Sequence, residues 1–259
     1  MVYKKIKKFG QHFLQNPEIL EFEARAANPT GKQVLEIGAG DGRLSEILLS
    51  LKPKKLILVE IDPELCSILK NKFENKKNVL IKQANFLDLD IKKVELIVGN
   101  IPYSITSKIL LKLTKIEFDY AILMLQKEVC NRIIAKPATS EYGRLSVIMS
   151  AYFEITPILE VSKENFYPKP KVDSTIIKII KKPFIKLPEN FELITAALFS
   201  HRLMSVKNAL YHSRKMLNLD KTQIKEIIKK IKNDKKVFML NLNEIIEIAN
   251  QFQGAKNEI

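Results

Sequence analysis

The 259-residue chain is 46% hydrophobic and 28% charged, which is enough apolar sequence to bury a core in one large domain, or in one domain with a small additional one. This composition excludes a disordered chain, a collagen-like repeat and a disulfide-stabilised mini-protein. Lysine plus arginine exceed aspartate plus glutamate by 14, and such a surplus favours a polyanionic partner, nucleic acid first of all. Because only six of the 43 basic residues are arginines, a merely lysine-rich surface is the alternative interpretation.

Metal chemistry and membrane insertion are both disfavoured. The two cysteines, Cys66 and Cys130, lie far apart, and three histidines are too few for the paired patterns of zinc sites, so we expect no metal. No apolar run approaches the roughly 20 residues that cross a bilayer, and the first residues lack the apolar segment of a signal peptide. We therefore expect a soluble, cytoplasmic protein without a membrane partner, and we expect it to be a monomer.

Short β-branched and leucine-rich runs alternate with helical patterns over the first part of the chain, which is typical of a parallel sheet covered on both faces. Five such strands are predicted at residues 33–37, 55–60, 78–83, 94–98 and 118–125. Two further extended runs, 152–161 and 173–182, are predicted to close the sheet as an antiparallel hairpin. The predicted fold class is therefore α/β with a Rossmann-like sheet.

The composition changes after Lys182, where Pro183 and Pro188 flank a short connector. Beyond the connector, the leucine and isoleucine pattern is helical as far as the C-terminus. We predict two domains, residues 1–183 with the sheet and residues 184–259 as a small all-helical domain. The lysine-rich stretch 221–236 keeps isoleucines at helical spacing and is predicted to be a solvated amphipathic helix.

A glycine-rich turn, EIGAGDG, follows the first predicted strand and places Gly38, Gly40 and Gly42 at alternate positions. Glycines let a ligand approach the backbone where a strand leads into a helix. Glu60 ends the second predicted strand, where a carboxylate of this fold accepts the ribose hydroxyls of an adenosine, and Asn85 follows the third and can accept from the adenine amino group. The spacing is not the G-x-G-x-x-G of dinucleotide sites, so it favours S-adenosylmethionine over NAD. Taken alone, such a glycine turn is often present for packing reasons.

The fourth predicted strand leads into Asn100-Ile101-Pro102-Tyr103, a turn that suits methylation of an exocyclic amine. The lone pair of an adenine amino nitrogen is delocalised into the ring, so attack on a sulfonium methyl requires that nitrogen to be rehybridised and oriented. The Asn100 side-chain oxygen and the Pro102 carbonyl are predicted to accept its two N–H groups, and Tyr103 to stack on the base. No general base is required, because the methylated ammonium loses its proton to water. An ordinary turn is the alternative for this tetrapeptide.

With these motifs, the chain resembles the ribosomal small-subunit RNA adenine N6,N6-dimethyltransferase family. The resemblance extends over seven ordered motifs at residues 9–14, 36–42, 60–62, 100–103, 125–129, 142–147 and 166–174. It implies a Rossmann-like methyltransferase that uses S-adenosylmethionine to dimethylate adenines of small-subunit ribosomal RNA during ribosome biogenesis. It further implies that the donor contacts are His12, Leu14, Gly38, Glu60, Asn85 and Asn100, and that Phe166 flanks the target adenine opposite Tyr103. His12 is expected to be structural and not a base.

Two details qualify the resemblance. Where the family usually has aspartate against the cofactor adenine, this chain has Asn85, which keeps an acceptor oxygen but loses the charge, so lower donor affinity is expected. Ser104 after the tetrapeptide, together with the Gly-Ala-Gly-Asp-Gly loop, resembles the archaeal and eukaryotic branch more than the bacterial one.

Two other functions remain open. Large-subunit rRNA adenine methyltransferases of the macrolide-resistance type share the glycine loop, the Asn-x-Pro-Tyr turn and the Phe-x-Pro-x-Pro segment, although the motifs at 125–129 and 142–147 resemble the small-subunit group. The chain could instead be a ribosome-assembly binding factor with secondary activity, since a fold does not guarantee catalysis. The intact Asn100, Pro102, Tyr103 and Phe166 argue against an inactive enzyme.

Two clusters of basic residues are predicted to contact RNA phosphates, which position an RNA without selecting the base. The first lies in the stretch 193–219, which contains no acidic residue, and the second precedes the first acidic residue of the chain. The predicted contacts are Arg202, Lys207, Arg214 and Lys215 in the first cluster and Lys4, Lys5, Lys7 and Lys8 in the second.

Overall fold

The structure is a computed structural model that describes residues 12–183 and 186–252. The chain divides into two compact units. Of the described residues, those up to 130 and 154–181 form the sheet unit, and residues 131–153 and those after 181 form the helical unit. Among the described residues, no helix is long and apolar enough to cross a membrane.

Nine strands are found in the described chain, and seven of them form one sheet in the order β4-β3-β2-β5-β6-β9-β7. Their bounds are β1 Phe13–Leu14, β2 Gln33–Ile37, β3 Lys55–Glu60, β4 Val79–Gln83, β5 Leu96–Asn100, β6 Tyr120–Gln126, β7 Phe153–Val161, β8 Phe166–Tyr167 and β9 Ser174–Lys181. Strands β2 to β6 pair in parallel and β9 pairs antiparallel with β6. The predicted strands are therefore present, with their starts displaced by at most two residues.

Five helices belong mainly to the sheet unit: α1 Pro17–Ala27, α2 Arg43–Ser50, α3 Pro63–Lys72, α4 Thr106–Leu113 and α5 Lys127–Ile133. Local sequence defines where two of them begin. The Asn16 side chain accepts from the first backbone N–H groups of α1, and Asp62 does the same for α3, each directly before a proline at the first helical position.

The segments that can bind a ligand follow the carboxyl ends of the parallel strands. The chain passes from β2 to β3 on one side of the sheet and later returns to β5 on the other side of β2. Ligands of open α/β sheets bind in the crevice outside the carboxyl ends of the strands at such a reversal of strand order. The segments that follow β2, β3, β4 and β5 are therefore the segments that build a site.

The helical unit contains α6 Arg144–Tyr152, α7 Phe191–Phe199, α8 Val206–His212, α9 Lys221–Lys229 and α10 Leu242–Asn250. Its extent differs from the predicted domain 184–259, because residues 131–153 also belong to it. Tyr142, Val147 and Ala151 are buried in the same apolar core as Phe191 and Leu198. The Tyr142 hydroxyl also donates to the Leu240 carbonyl at 2.8 Å. Burial of these side chains places α6 in this unit, although it precedes the connector by about 30 residues in the sequence.

Candidate active site

The sheet unit contains a cavity of about 550 Å³ at the carboxyl ends of its parallel strands. Its lining comes mainly from the segment before α1, the loops after β2, β3 and β4, and the turn after β5, with further residues from β2 and from helices α1, α2 and α4. Nine of the predicted site residues border it: His12, Leu14, Gly38, Gly40, Glu60, Asn85, Asn100, Pro102 and Tyr103. Residues that lie up to 91 positions apart in the chain are thus brought together by the topology of the sheet.

The backbone conformation of the glycine turn favours glycine at two positions. Gly38 and Gly40 have φ angles of +73° and +59°, a region that favours glycine. A Cβ atom on Gly40 would lie 3.1 Å from the Phe13 ring, and one on Gly38 would lie 3.6 Å from the Asn100 carbonyl oxygen. The turn therefore leaves bare backbone beside the cavity and close to the Asn100 turn.

Glu60 is buried, and its carboxylate accepts three backbone N–H groups. One oxygen accepts from Gly40 at 2.9 Å, and the other accepts from Ile61 at 2.8 Å and Asp62 at 2.9 Å. Burial raises the pKa of Glu60, and these hydrogen bonds oppose that rise. A carboxylate has about four acceptor positions, so Glu60 can hold the glycine loop and still accept from a ligand. Its loop-anchoring role was not predicted from the sequence.

Asn85 has two places in the structure. It borders the cavity, and it also begins the short helical turn Phe86–Asp88. Its side-chain oxygen accepts from the Leu87 N–H at 3.1 Å, and its amide nitrogen donates to Asp88 at 3.1 Å. The remaining lone pair of the oxygen is the only acceptor capacity that the Asn85 side chain offers to a ligand.

Asn100 is oriented by the segment before α1. Its amide nitrogen donates to the His12 carbonyl at 3.4 Å, which makes the other amide atom, Oδ1, the acceptor toward the cavity. The Pro102 carbonyl differs from its predicted state as a free acceptor, because it already accepts from the Ile105 N–H at 3.2 Å and the Thr106 hydroxyl at 3.1 Å. The Thr106 hydroxyl has an alternative acceptor in the Tyr103 carbonyl at 3.4 Å.

The ring of Tyr103 is partly buried and held on two sides. It stacks on the His12 ring with a centroid separation of 5.2 Å and an interplanar angle of 28°. Its hydroxyl lies 3.0 Å from the Ser174 hydroxyl, and burial raises the pKa of Tyr103. His12 is fixed in turn by a 2.6 Å hydrogen bond between Nδ1 and the Pro168 carbonyl. The predicted structural role of His12 agrees with these contacts, since it supports both Asn100 and Tyr103.

Phe166 is buried, and its place opposite Tyr103 stays a prediction. Strands β1 and β8 pair so that Leu14 and Phe166 are register partners. Both side chains are buried in the apolar core of the sheet unit, where Phe166 is only 4% exposed. The next residue, Tyr167, is 55% exposed. Pairing with β1 therefore uses the Phe166 ring for packing, and it does not border the cavity.

The predicted RNA contacts of the helical unit fall into two kinds. Arg202 and Arg214 are engaged within the unit: their guanidinium groups lie 5.9 Å from the Phe238 ring and 5.0 Å from the Tyr211 ring. Lys207 is half-buried, and Lys215 is exposed. Asp234 accepts from the backbone N–H of Lys207 at 2.8 Å, so the acid-free stretch of sequence is not free of acids in space. Lys4, Lys5, Lys7 and Lys8 lie outside the described residues.

Two buried glutamates at the cavity were not predicted from the sequence. Glu23 on α1 and Glu36 on β2 both border the cavity and are 0% and 2% exposed. Burial raises the pKa of each carboxyl group to about 8. Glu36 accepts from the Ser45 hydroxyl at 2.6 Å, whereas neither oxygen of Glu23 has a hydrogen-bond partner among the described residues. The sequence did contain a signal, because Glu23 interrupts the apolar face that Leu20, Ala24 and Ala27 form on α1.

Comparison with known proteins identifies the family. A family model described as ribosomal RNA adenine dimethylase matches residues 2–253. The chain belongs to this family. A relative from Methanosarcina mazei, named probable ribosomal RNA small subunit methyltransferase A, is 35% identical over 256 residues, which cover 96% of this chain and 93% of that protein. The predicted identification as an rRNA adenine dimethyltransferase is therefore confirmed at the level of the family.

Solved structures confirm the predicted fold. The crystal structure of a dimethyladenosine transferase from Plasmodium falciparum has a TM-score of 0.79 and 27% sequence identity, and the match covers 93% of this chain and 97% of that one. The crystal structure of the 23S rRNA methyltransferase ErmE has a TM-score of 0.65 and 23% identity, with 93% and 99% covered. The second likeness concerns the fold alone. These comparisons do not favour the large-subunit alternative.

Proposed function

We propose that this chain transfers methyl groups from S-adenosylmethionine to the N6 amines of adenines in small-subunit ribosomal RNA, as a step of ribosome biogenesis in the cytoplasm. The observation that carries the proposal is the position of Asn100 at the end of β5. Its amide nitrogen is held by the His12 carbonyl, and its oxygen is left to accept an amine beside a cavity that the glycine turn and Glu60 also border.

The residues of the cavity fit the proposed methyl donor. Gly38 and Gly40 provide backbone without side chains, Glu60 has one acceptor position left for a ribose hydroxyl, and Asn85 has one lone pair for an adenine amino group. The cavity volume of about 550 Å³ is in the range of small-molecule sites. When bound, S-adenosylmethionine supplies a methyl group on a sulfonium centre.

The Asn100 turn orients the amine that is methylated. Asn100 Oδ1 accepts one N–H, which holds the nitrogen in place and draws its lone pair out of conjugation with the ring. The Pro102 carbonyl becomes the second acceptor once the Thr106 hydroxyl turns to the Tyr103 carbonyl, which lies within reach at 3.4 Å. That exchange leaves no buried hydroxyl without a partner, so its cost is small.

Tyr103 holds the target base by stacking. One face of its ring contacts His12, so we assign the other face to the adenine. Stacking of a base on an aromatic ring contributes on the order of 1–3 kcal/mol, and an adenine drawn out of its RNA context requires such a contact. Phe166 supports this segment from the core, through its pairing with Leu14 next to Phe13 and His12.

Basic residues would supply contacts to the RNA backbone. Lys215 is the most exposed of the four predicted in the helical unit, and Lys207, Arg202 and Arg214 are partly buried. The four lysines at positions 4, 5, 7 and 8 remain proposed contacts. A net charge of +14 favours encounter with a ribosomal particle.

The proposal is tested by incubating the purified chain with labelled S-adenosylmethionine and small ribosomal subunits from cells that lack this methylation. Fully methylated small subunits and large subunits serve as parallel acceptors. We expect label only in the undermethylated small subunits, at N6 of adenines. Label in large-subunit RNA would support the macrolide-resistance type of activity, and subunit binding without any methyl transfer would support a binding factor.

A further inference from the structure

Tyr167 is an exposed aromatic residue next to the candidate active site. It is 55% exposed, the highest value for any phenylalanine or tyrosine among the described residues, whereas the preceding Phe166 is only 4% exposed. Consecutive side chains of a strand point to opposite sides, so the burial of Phe166 in the core directs Tyr167 outward. Its ring is therefore not used for packing in the sheet unit and is accessible to a binding partner.

Backbone contacts on both sides hold Tyr167 beside the segment that supports the target base. Its register partner in β1 is Phe13, which borders the cavity. The carbonyl of the next residue, Pro168, lies 2.6 Å from His12 Nδ1, and the His12 ring stacks on Tyr103. The position of Tyr167 is thus fixed relative to Tyr103 before any RNA binds.

The residues that follow Tyr167 add positive charge to the same exposed segment. Lys169 and Lys171 are both exposed and are separated from each other and from Tyr167 by less exposed prolines. Lys169 forms an ion pair with Glu164, whereas Lys171 has no ion pair among the described residues. Single-stranded nucleic acid is bound by aromatic rings that stack on its bases and by cations that contact its backbone. Tyr167 and Lys171 supply one group of each kind.

Methylation of a base that has left its stack creates a need for such a ring. An adenine drawn out of its RNA context leaves its neighbour in the strand without a stacking partner on one side. Tyr103 cannot serve that neighbour, because one face of its ring contacts His12 and the other is assigned to the target adenine. The other exposed phenylalanine or tyrosine of the described chain, Phe22, lies on α1 and does not border the cavity. Tyr167 is the exposed ring that remains.

We propose that Tyr167 stacks on an unpaired base next to the target adenine in the RNA strand and that Lys171 contacts a phosphate of the same stretch. The inference rests on the proposed function and concerns the RNA, not the methyl donor. Tyr167 touches none of the reacting atoms, so it is a positioning residue. Its ring contributes to the affinity for RNA, and the transfer step itself does not depend on it.

Affinity and transfer are measured separately to test this role. Tyr167→Ala should weaken binding to undermethylated small subunits by about 5- to 100-fold, the range for loss of one stacked base. The single-turnover rate at saturating subunits and donor should stay within about two-fold of the parent. Tyr167→Phe keeps the ring and should bind as the parent does. Phe22→Ala, which removes the other exposed ring, is the matched control and should also bind as the parent does.

The phosphate contact has its own readout. Lys171→Gln should weaken binding to small subunits and reduce the slope of log affinity against log salt by about one. A parent slope in Lys171→Gln would overturn the phosphate contact.

Fluorescence reports the stacking directly, because the chain contains no tryptophan. Tyr167→Trp therefore introduces a single indole at the proposed contact, and stacking on a base quenches indole emission. We expect quenching when undermethylated small subunits are added, after the emission of the subunit proteins is subtracted with the parent chain as the blank. Phe22→Trp is the matched control and should show no quenching.

Four results would contradict the assignment of Tyr167. Parent affinity in Tyr167→Ala, or equal emission changes at positions 167 and 22, would overturn the stacking. A transfer rate that falls as far as in Tyr103→Ala would place Tyr167 against the target adenine itself. An equal loss of affinity for subunits and for the reaction product S-adenosylhomocysteine would indicate a structural role. Failure of the parent to methylate small subunits would instead overturn the proposed function.

Discussion

Two buried carboxyl groups that border the cavity differ in their hydrogen bonds. Glu60 accepts three backbone N–H groups and fixes the glycine loop. Glu23 accepts none among the described residues. The Glu60 carboxylate is part of the fold and offers its spare acceptor position to a ligand. The Glu23 carboxyl group has no partner among the described residues and therefore lowers the stability of the fold. Substitutions at the two positions should therefore change stability in opposite directions.

The largest effect is expected at Glu60. Glu60→Ala removes the acceptor of three backbone N–H groups, including that of Gly40, and should lower the free energy of unfolding by about 3–5 kcal/mol. Donor affinity should fall at least ~10-fold, because the loop and the ribose contact are both lost. Chemical denaturation and calorimetry measure these changes, with Glu74→Ala, an exposed acid of the same unit, as the control. Unchanged stability would show that Glu60 does not anchor the loop.

The pH dependence of stability is the next largest effect. The folded chain keeps Glu23 protonated up to about pH 8, whereas the unfolded chain releases that proton near the ordinary pKa of 4.5. Rising pH therefore lowers the free energy of unfolding between these values, by roughly 1 kcal/mol per pH unit for each such group. Glu36 has the same shift and keeps its contribution, so Glu23→Gln should make the slope between pH 5 and 8 shallower by the contribution of one group. Denaturant titrations of the two chains with parallel pH profiles would contradict the raised pKa of Glu23.

Tyr103 allows the same comparison between a role in the fold and a role in binding for an uncharged side chain. Its hydroxyl is already satisfied by Ser174, so we assign it to the fold and the ring to the substrate. Tyr103→Phe should cost about 1 kcal/mol of stability and leave turnover within about three-fold of the parent, whereas Tyr103→Ala should lower turnover severely with donor affinity nearly intact. Turnover, and donor affinity by calorimetry, should be measured for both variants to test this assignment. Equal damage by the two would assign a polar role to the hydroxyl.

The smallest effect is expected in the helical unit, where Arg214 and Lys215 are neighbours in sequence and their variants can be compared directly. Arg214 stacks on Tyr211 and donates to its carbonyl at 3.1 Å, whereas Lys215 is exposed. Lys215→Gln should weaken binding to small subunits and reduce the slope of log affinity against log salt by about one. Arg214→Gln should change that slope less. Binding measured across a salt series tests both, and identical slopes for Lys215→Gln and the parent would move the RNA contact elsewhere.

Site residues whose positions follow from the local sequence were predictable. Gly38 and Gly40 mark a turn that no other residue forms easily, and Glu60, Asn85 and Asn100 each end or follow a strand of clear pattern. Since parallel strands share one carboxyl edge, their convergence on one cavity follows from the order of the strands. The strands and helices of the sheet unit were predictable because their hydrophobic patterns are local.

Features that depend on distant pairing were not predictable. The ring of Phe166 is turned into the core by the pairing of β8 with β1, two short strands separated by about 150 residues in the chain. Segment 131–153 belongs to the helical unit because its apolar side chains fit that core, which no local pattern indicates. The Pro102 carbonyl is occupied by Ile105 and Thr106, a consequence of the exact conformation of the turn. The sequence shows Glu23 within an apolar helix face, but its lack of a hydrogen-bond partner among the described residues is seen only in the folded structure.

Asn100 provides the most direct test of the account, because the orientation of its side-chain oxygen carries the proposed function. Single-turnover methyl transfer to undermethylated small subunits should be measured for the parent and Asn100→Ala at saturating donor and subunit concentrations. Saturation removes differences in affinity and isolates the transfer step. We expect the rate to fall at least ~100-fold, the effect of losing a positioned acceptor at the reacting atom. A folded Asn100→Ala variant that transfers within two-fold of the parent rate would contradict the account.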